Sequence, residues 1–525
     1  MDTGRASGER PTRLTPATVL AAVAALGLIA YALFLLVWAN AGVESTRTSI
    51  GPTPVTVYRS SGLAAGASAP VVVISHGFAG SQQLMRSFAV TLAGNGYLAV
   101  TFDYLGHGRN LQPLGGDVID VDGSTRFLLA QTRQVVDYAL SHPAAGGGLA
   151  MLGHSMASDV VVRYAQSDPR VNATIAVSMF SPAVTKTSPR NLLVIVGGLE
   201  GFLKQEALRV LGMVTDDPAP GVTYGSFSDG SARRAAFADH VEHVGVLYSS
   251  DTMRETVAWL DQVFNRHGSS HIDQRGGAIA LLFLGVGILG WPLARLLPTV
   301  SRPPRGASLR WRQLWPAGLI PAIATPLLLW WFPADFLSVL VGGYLAVHFG
   351  VYGLVTALYL WWLRTRTTTS QAARPAAKTH VWRAVIATLL ATGYVAGLVA
   401  FLMDHYVTSF AVTAPRVPLI AVMLVGTLSY FLADEWLTRG TDAPRGAHAY
   451  THACFLLSLG LAVALSFEDL FFLLIIAGII LLYFIVYGLF GAWIYRATGH
   501  PAVGAVANAV AFAWALAVVF PMLSG

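Results

Sequence analysis

The chain reads as two folds in succession: an α/β domain on a mostly parallel sheet, then an all-α membrane domain, with about nine transmembrane helices in total. Three observations predict this. Over residues 52–266 short apolar runs end in glycine- and histidine-bearing loops and alternate with helix-forming stretches, the rhythm of parallel strands and crossover helices. From residue 275 onward, apolar stretches long enough to cross a bilayer, about 20 residues each, follow one another with short polar breaks. The composition agrees: 54% hydrophobic and 12% charged residues, with a positive mean hydropathy, are hard to reconcile with a fully soluble protein.

Taken in order, residues 1–16 form a basic N-terminus and 17–41 a first membrane helix. Ala39-Asn40-Ala41 resembles a small-residue cleavage site, but the preceding apolar run is long for a signal peptide, which favours a retained anchor. Residues 42–52 and 266–275 read as linkers. Pro70-Val71-Val72-Val73-Ile74-Ser75 is a buried-strand run emptying into His76-Gly77-Phe78-Ala79-Gly80, whose glycines let backbone N–H groups turn inward. The next strand, Tyr97 to Phe102, runs into Asp103-Tyr104-Leu105-Gly106-His107-Gly108-Arg109. Leu149-Ala150-Met151-Leu152 ends in Gly153-His154-Ser155-Met156-Ala157, followed by helix-forming residues. This has the pattern of a nucleophile elbow, in which a tight strand-to-helix turn tolerates only small residues on either side of an exposed serine. Asn191 to Val196 then delivers Glu200 just past a strand end, and Asp239-His240-Val241-Glu242-His243 precedes a final helix, Ser250 to Phe264.

In these elements residues 52–266 resemble the α/β-hydrolase superfamily, in its esterase, lipase and acyl-hydrolase branch. The resemblance implies an eight-stranded, mostly parallel sheet with flanking helices. It also implies Ser155 as nucleophile, His243 as base, Glu200 as acid and the Phe78 and Met156 N–H groups as the oxyanion hole. His76, Gly77 and His154 would border the substrate, His76 and His154 chiefly as loop-ordering hydrogen-bonders. Asp216, Asp217 and Asp239 stay open as alternatives for the acid, and His240 for the base. The chemistry needs this set: serine requires an imidazole to take its proton, a carboxylate fixes that imidazole's tautomer, and prearranged donors hold the developing oxyanion.

The second half supplies membrane spans at 276–297, 314–332, 336–363, 381–403, 412–433, 450–467, 470–495 and 501–523, after the first at 17–39. Arg5, Arg10 and Arg13 precede the first span, and alternate later loops are basic. These carry Arg302, Arg305, Arg310 and Arg312; Arg364, Arg366, Arg374, Lys378 and Arg383; Arg439 and Arg445; and Arg496. The intervening Pro333-Ala334-Asp335, Asp404-His405-Tyr406 and Glu468-Asp469 carry no Lys or Arg. By the positive-inside rule the N-terminus is cytoplasmic and the hydrolase-like domain extracytoplasmic. Phe349-Gly350-Val351-Tyr352-Gly353-Leu354 matches Phe484-Ile485-Val486-Tyr487-Gly488-Leu489, suggesting a repeat of four plus four spans. His348, Arg416, His452 and Asp434 are the polar residues singled out within or near the ends of spans.

The expected function is a membrane-integral serine hydrolase cleaving carboxylic esters of lipid or acyl-chain substrates. The alternatives are a peptidase, a thioesterase or acyltransferase of the same fold, and a non-enzymatic transporter or receptor with a hydrolase-like binding domain. Its partners are a lipophilic acyl or ester substrate and the lipid bilayer. The short segment Phe180 to Arg190 leaves little room for a lid, so the membrane domain or the bilayer surface would cover the site, with Asn110 to Gly123 shaping its mouth. No cofactor is expected. Nor is a metal, because the histidines are read as lacking paired ligand spacing and Cys454 is the single cysteine. The net charge of +6 arises largely from the inside loops and makes no case for nucleic acid. Arginine outnumbers lysine 31 to 3, a usage that hints at a GC-rich bacterial genome.

Overall fold

A computed structural model describes residues 15–118, 120–268, 270–333, 336–366 and 378–524. Arg5, Arg10, Arg13, Arg374, Ala334 and Asp335, used above to orient the chain, lie outside the described residues. The first helix, α1 (Pro16–Trp38), is apolar all round and capped by Thr15, with Pro16 in its first turn. An all-round apolar surface is what lipid contact requires.

The sheet domain contains β1 (Val43–Ile50), β2 (Thr53–Ser60), β3 (Ala69–Ser75), α2 (Arg86–Gly94), β4 (Leu98–Phe102), α3 (Arg126–Ser141), β5 (Ala145–His154), α4 (Met156–Ser167), β6 (Val171–Val177), β7 (Leu192–Gly197), α5 (Gly201–Gly212), β8 (Thr223–Tyr224), β9 (Arg233–Ala238) and α6 (Ser250–Phe264). The strand order is β1-β2-β4-β3-β5-β6-β7-β9-β8. The six strands from β4 to β9 are parallel, while β1, β2 and the two-residue β8 run antiparallel to their neighbours. Two expectations change here. The sheet has nine strands, because a short edge strand joins it, and the expected linker 42–52 is mostly strand β1. That strand reads Val-Glu-Ser-Thr-Arg-Thr-Ser-Ile and is largely exposed, so its polarity, that of an edge strand, imitates a linker. Central strands β3, β4 and β7 are buried along their whole length, as strands covered on both faces must be.

The helical domain follows: α7 (Arg275–Ala294), β10 (Ser301–Arg302), α8 (Trp311–Leu329), α9 (Gly342–Arg366), β11 (Lys378–Thr379), α10 (Val381–Thr392) continuing through a π-helical turn into α11 (Val399–Tyr406), α12 (Val417–Thr438), α13 (Ala447–Leu465), α14 (Phe467–Leu470), α15 (Phe472–Thr498) and α16 (Pro501–Val519). Among the described residues, eight helices are long and apolar enough to cross a membrane. The ninth expected span, 314–332, is helix α8, whose Arg312, Gln313 and three internal prolines lower its apolarity below that of the others. The span expected at 501–523 ends at Val519. Beyond it the chain turns back, and Met522 bonds Gly106 and Leu114 of the sheet domain through its backbone N–H and carbonyl.

The helical domain has two distinct ends. At one, Val300 bonds Thr498, His380 bonds Val300, Arg305 bonds Gly499, and Ala307 and Ser308 bond Trp436 and Arg439, all through backbone groups. The basic loops thus gather together. At the other end lies the sheet domain. Its Ser81 Oγ meets Thr408 Oγ1 at 2.9 Å, and Arg109 pairs with Asp404 at 2.5 Å. The Arg416 guanidinium, fully buried, donates to the carbonyls of Ala517 (2.6 Å), Phe520 (2.9 Å) and Gly106 (3.0 Å), which gives its charge a role in docking rather than in a pathway. Small residues let α1 lie against α7, where Gly285 faces Ile29 and the Ala25 carbonyl.

Candidate active site

Ser155 stands between β5 and α4 at φ 54°, ψ −121°. A non-glycine residue held in such a sparsely populated region costs of order 1–3 kcal/mol, and the tight turn imposes it. A side chain on Gly153 would run into the Ala157 carbonyl, and Ala157 itself is fully buried, so small residues at both positions are a steric necessity. The Ser155 N–H donates to the Val177 carbonyl at 2.9 Å, tying the elbow to β6.

Three of the expected residues come together in line. Ser155 Oγ lies 2.9 Å from His243 Nε2, and His243 Nδ1 lies 2.5 Å from Glu200 Oε1. An ionised carboxylate only accepts, so Nδ1 carries the proton and Nε2 is left as the acceptor facing the serine. The second Glu200 oxygen accepts from Ser178 Oγ at 2.7 Å and from the Gly197 N–H at 2.6 Å. Burial alone would raise the Glu200 carboxyl, but the bonds from His243, Ser178 and Gly197 outweigh it and hold the group below its usual range. The Glu200 side chain is 7% exposed and that of His243 40%, so the acid is hidden while the imidazole opens outward. His243 bonds Glu200 and no bond to it from Asp216, Asp217 or Asp239 is seen among the described residues, while His240 lies exposed on the loop.

The His76–Gly80 loop flanks the serine. A Cβ on Gly77 would stand 2.9 Å from Ser155 Cβ and 3.0 Å from the His154 carbonyl oxygen, so only glycine allows this approach. His76 accepts the Tyr104 N–H on Nε2 at 3.1 Å, which leaves Nδ1–H to donate to the Gly77 carbonyl at 2.8 Å. Because a trans peptide sets C=O and N–H on opposite sides, this bond turns the Phe78 N–H away from His76. Met156 opens α4, where the first-turn N–H groups have no intrahelical partner. His154 Nε2–H donates to the His243 carbonyl at 2.9 Å and braces the loop carrying His243. Burial pushes the His154 imidazole down to about 3 and that of His107 to about 3, and it lowers His76 as well. His76 is fully buried with both nitrogens engaged, the arrangement of a loop-ordering hydrogen-bonder.

Two features of the surroundings were not read from the sequence. Large apolar side chains close in sequence to Glu200 and His243 stand exposed: Leu199, Phe202 and Val244, and with them Phe180, whose ring lies 5.8 Å from that of Phe202. And Phe78 packs on the helical domain, with ring centroids 5.1 Å from Phe472 and 6.5 Å from Phe520. A cavity of about 620 Å³ opens at the same domain boundary, between Val118 and the side chains of Trp330, Leu340, Tyr344, Phe472 and Leu523. The triad does not line it; Phe472 lies between the cavity and Phe78.

Residues 66–266 match the family model described as serine aminopeptidase, S33. This part of the chain has the α/β-hydrolase fold. No curated protein matches the chain. Solved structures similar to it include a hypothetical protein from Pseudomonas aeruginosa, 11% identical over 42% of this chain and 94% of its own, with a TM-score of 0.31. A protein from Thermus thermophilus is 14% identical over 43% and 99%, with a TM-score of 0.31. A mutant epoxide hydrolase from Vigna radiata is 18% identical over 28% and 43%, with a TM-score of 0.21. Among the described residues one group of side chains has metal-ligand spacing, Asp434, His448 and His452. It belongs to the helical domain, near the end that gathers the basic loops.

Proposed function

We propose that the protein is a membrane-integral serine hydrolase that cleaves carboxylic esters of lipid or acyl-chain substrates. The observation that carries this reading is the Ser155–His243–Glu200 hydrogen-bonded line, with exposed apolar side chains on the segments that carry Glu200 and His243. Ser155 Oγ attacks the ester carbonyl as its proton passes to His243 Nε2, and Glu200 stabilises the imidazolium that forms. The Phe78 and Met156 N–H groups receive the oxyanion; one such donor is worth about 10²–10³ in rate. Collapse expels the alcohol, which takes the proton from His243. A water then gives its proton to His243, attacks the acyl-enzyme and frees the carboxylic acid and Ser155.

The exposed apolar side chains of Phe180, Leu199, Phe202 and Val244 suit an acyl chain, as does the seat of Phe78 on the helical domain. By the positive-inside rule the basic loop end is cytoplasmic and the hydrolase domain extracytoplasmic. The test is fluorophosphonate labelling of the full-length protein in detergent. Stoichiometric labelling of wild type and none of Ser155→Ala is the expected result, and an unlabelled wild type contradicts the reading.

The description of the matching family favours a second reading, peptide hydrolysis by the same three residues. Ser155-dependent release of amines from aminoacyl amides, with esters of long acyl chains left intact, would establish it.

A further inference from the structure

The expectation that the histidines lack paired ligand spacing overlooks His448-Ala449-Tyr450-Thr451-His452. On a helix the i, i+4 spacing puts both imidazoles on one face, and α13 turns them toward Asp434 of α12. Asp434 Oδ2 lies 3.3 Å from His448 Nδ1 and 3.6 Å from His452 Nε2. Two ligands each about 2.0–2.1 Å from one tetrahedral ion stand roughly 3.4 Å apart, so each imidazole already stands from the carboxylate at about the separation an ion would need, and the three ligand atoms lie within 4.8 Å of one another.

The donors are also unsatisfied. Asp434 Oδ2 and His452 Nε2 are buried without a hydrogen-bond partner, with side chains 4% and 8% exposed, and His448 Nδ1 has only a long contact, 3.5 Å, to Thr438 Oγ1. A plain imidazole–carboxylate pair would close to hydrogen-bond distance, and 3.6 Å does not. Glu435, next along α12, spends both oxygens on Arg439, at 2.7 and 2.9 Å. A third helix completes the surround. A Cβ on Gly488 of α15 would come within 3.1 Å of His448 Nε2, and Phe484 stacks on His452 with ring centroids 4.1 Å apart.

We propose that Asp434, His448 and His452 bind a divalent transition metal, with zinc the best match for two imidazoles and one carboxylate. The ion fastens α12 to α13 across the basic loop between them and takes no part in the chemistry at Ser155.

The test uses the full-length protein in detergent, loaded with zinc or cobalt(II) and washed free of loose metal. The expected result is about one ion per chain by elemental analysis, with visible d–d absorption in the cobalt form and a lower melting temperature on chelation. Asp434→Asn, His448→Gln and His452→Gln, each checked for monodispersity, should weaken metal binding at least about tenfold. A wild type that retains no stoichiometric zinc or cobalt overturns the proposal whatever the variants do, as do well-folded variants that retain as much metal as wild type.

Discussion

Phe78 and Phe472 pack ring against ring with centroids 5.1 Å apart, joining the loop beside Ser155 to the first turn of a helix in the helical domain. Gly77 comes so near Ser155 that a Cβ on it would stand 2.9 Å from Ser155 Cβ, and the Phe78 N–H belongs to the peptide that follows. A shift in the helical domain therefore reaches the proposed oxyanion donor through two residues.

Phe472→Ala should consequently act at a distance. The expected outcome is a fall of about tenfold in kcat/KM for long-chain esters, since a displacement of 1 Å costs a preorganised site up to about 10²-fold. Ester kinetics with matched melting curves check it; unchanged kcat/KM would mean that the contact is packing alone.

Glu200 and Ser178 separate orientation from charge. Glu200→Gln removes the partner that fixes the His243 tautomer, and kcat should fall by about 10⁴. Ser178→Ala removes one of the bonds holding the carboxyl low, so the Glu200 pKa rises. Its activity should stay near wild type at pH 8 and fail at a higher pH than wild type on acidification, as read from kcat/KM against pH.

Acid should destabilise the hydrolase domain through its buried histidines. His107 and His154 have folded pKa values of about 3, below the value of about 6.5 for a free imidazole. The unfolded chain therefore binds more protons between those values. Their contribution is full above about pH 6.5 and is lost as pH falls toward 3, at roughly 1.4 kcal/mol per pH unit for each. Melting temperature against pH should fall from about pH 6 downward, and His107→Gln should flatten the slope.

Much of this was legible in the chain. Gly153, Ser155 and Ala157 announced the tight turn because its sterics admit so few residues, and Glu200, which bonds His243, stood out by its place after a buried strand. Ser178 was not, since a small polar residue after a strand carries no signal of its own. Nor were Phe472 and Phe520: they lie about 400 residues from Phe78, and nothing local in an apolar span marks the ring it will touch. The pair His448 and His452 was visible at i, i+4 spacing, but its meaning depends on Asp434, which only the packing of α12 on α13 supplies.

Arg416 tests how the two domains are joined. Its guanidinium serves the carbonyls of Ala517, Phe520 and Gly106, and an unsatisfied buried acceptor costs about 1–3 kcal/mol. Arg416→Met should loosen the C-terminal tail from the Gly106 loop and lower the melting temperature. Faster hydrogen exchange at residues 105–114 and 520–524 would show it; unchanged exchange would deny the docking role.

The most direct test of the central claim is hydrolysis of p-nitrophenyl esters of graded acyl length by the full-length protein, wild type beside Ser155→Ala. The account predicts turnover that rises with acyl length in the wild type and is lost in Ser155→Ala. Turnover surviving in Ser155→Ala, or none on any ester in a well-folded wild type, would contradict it.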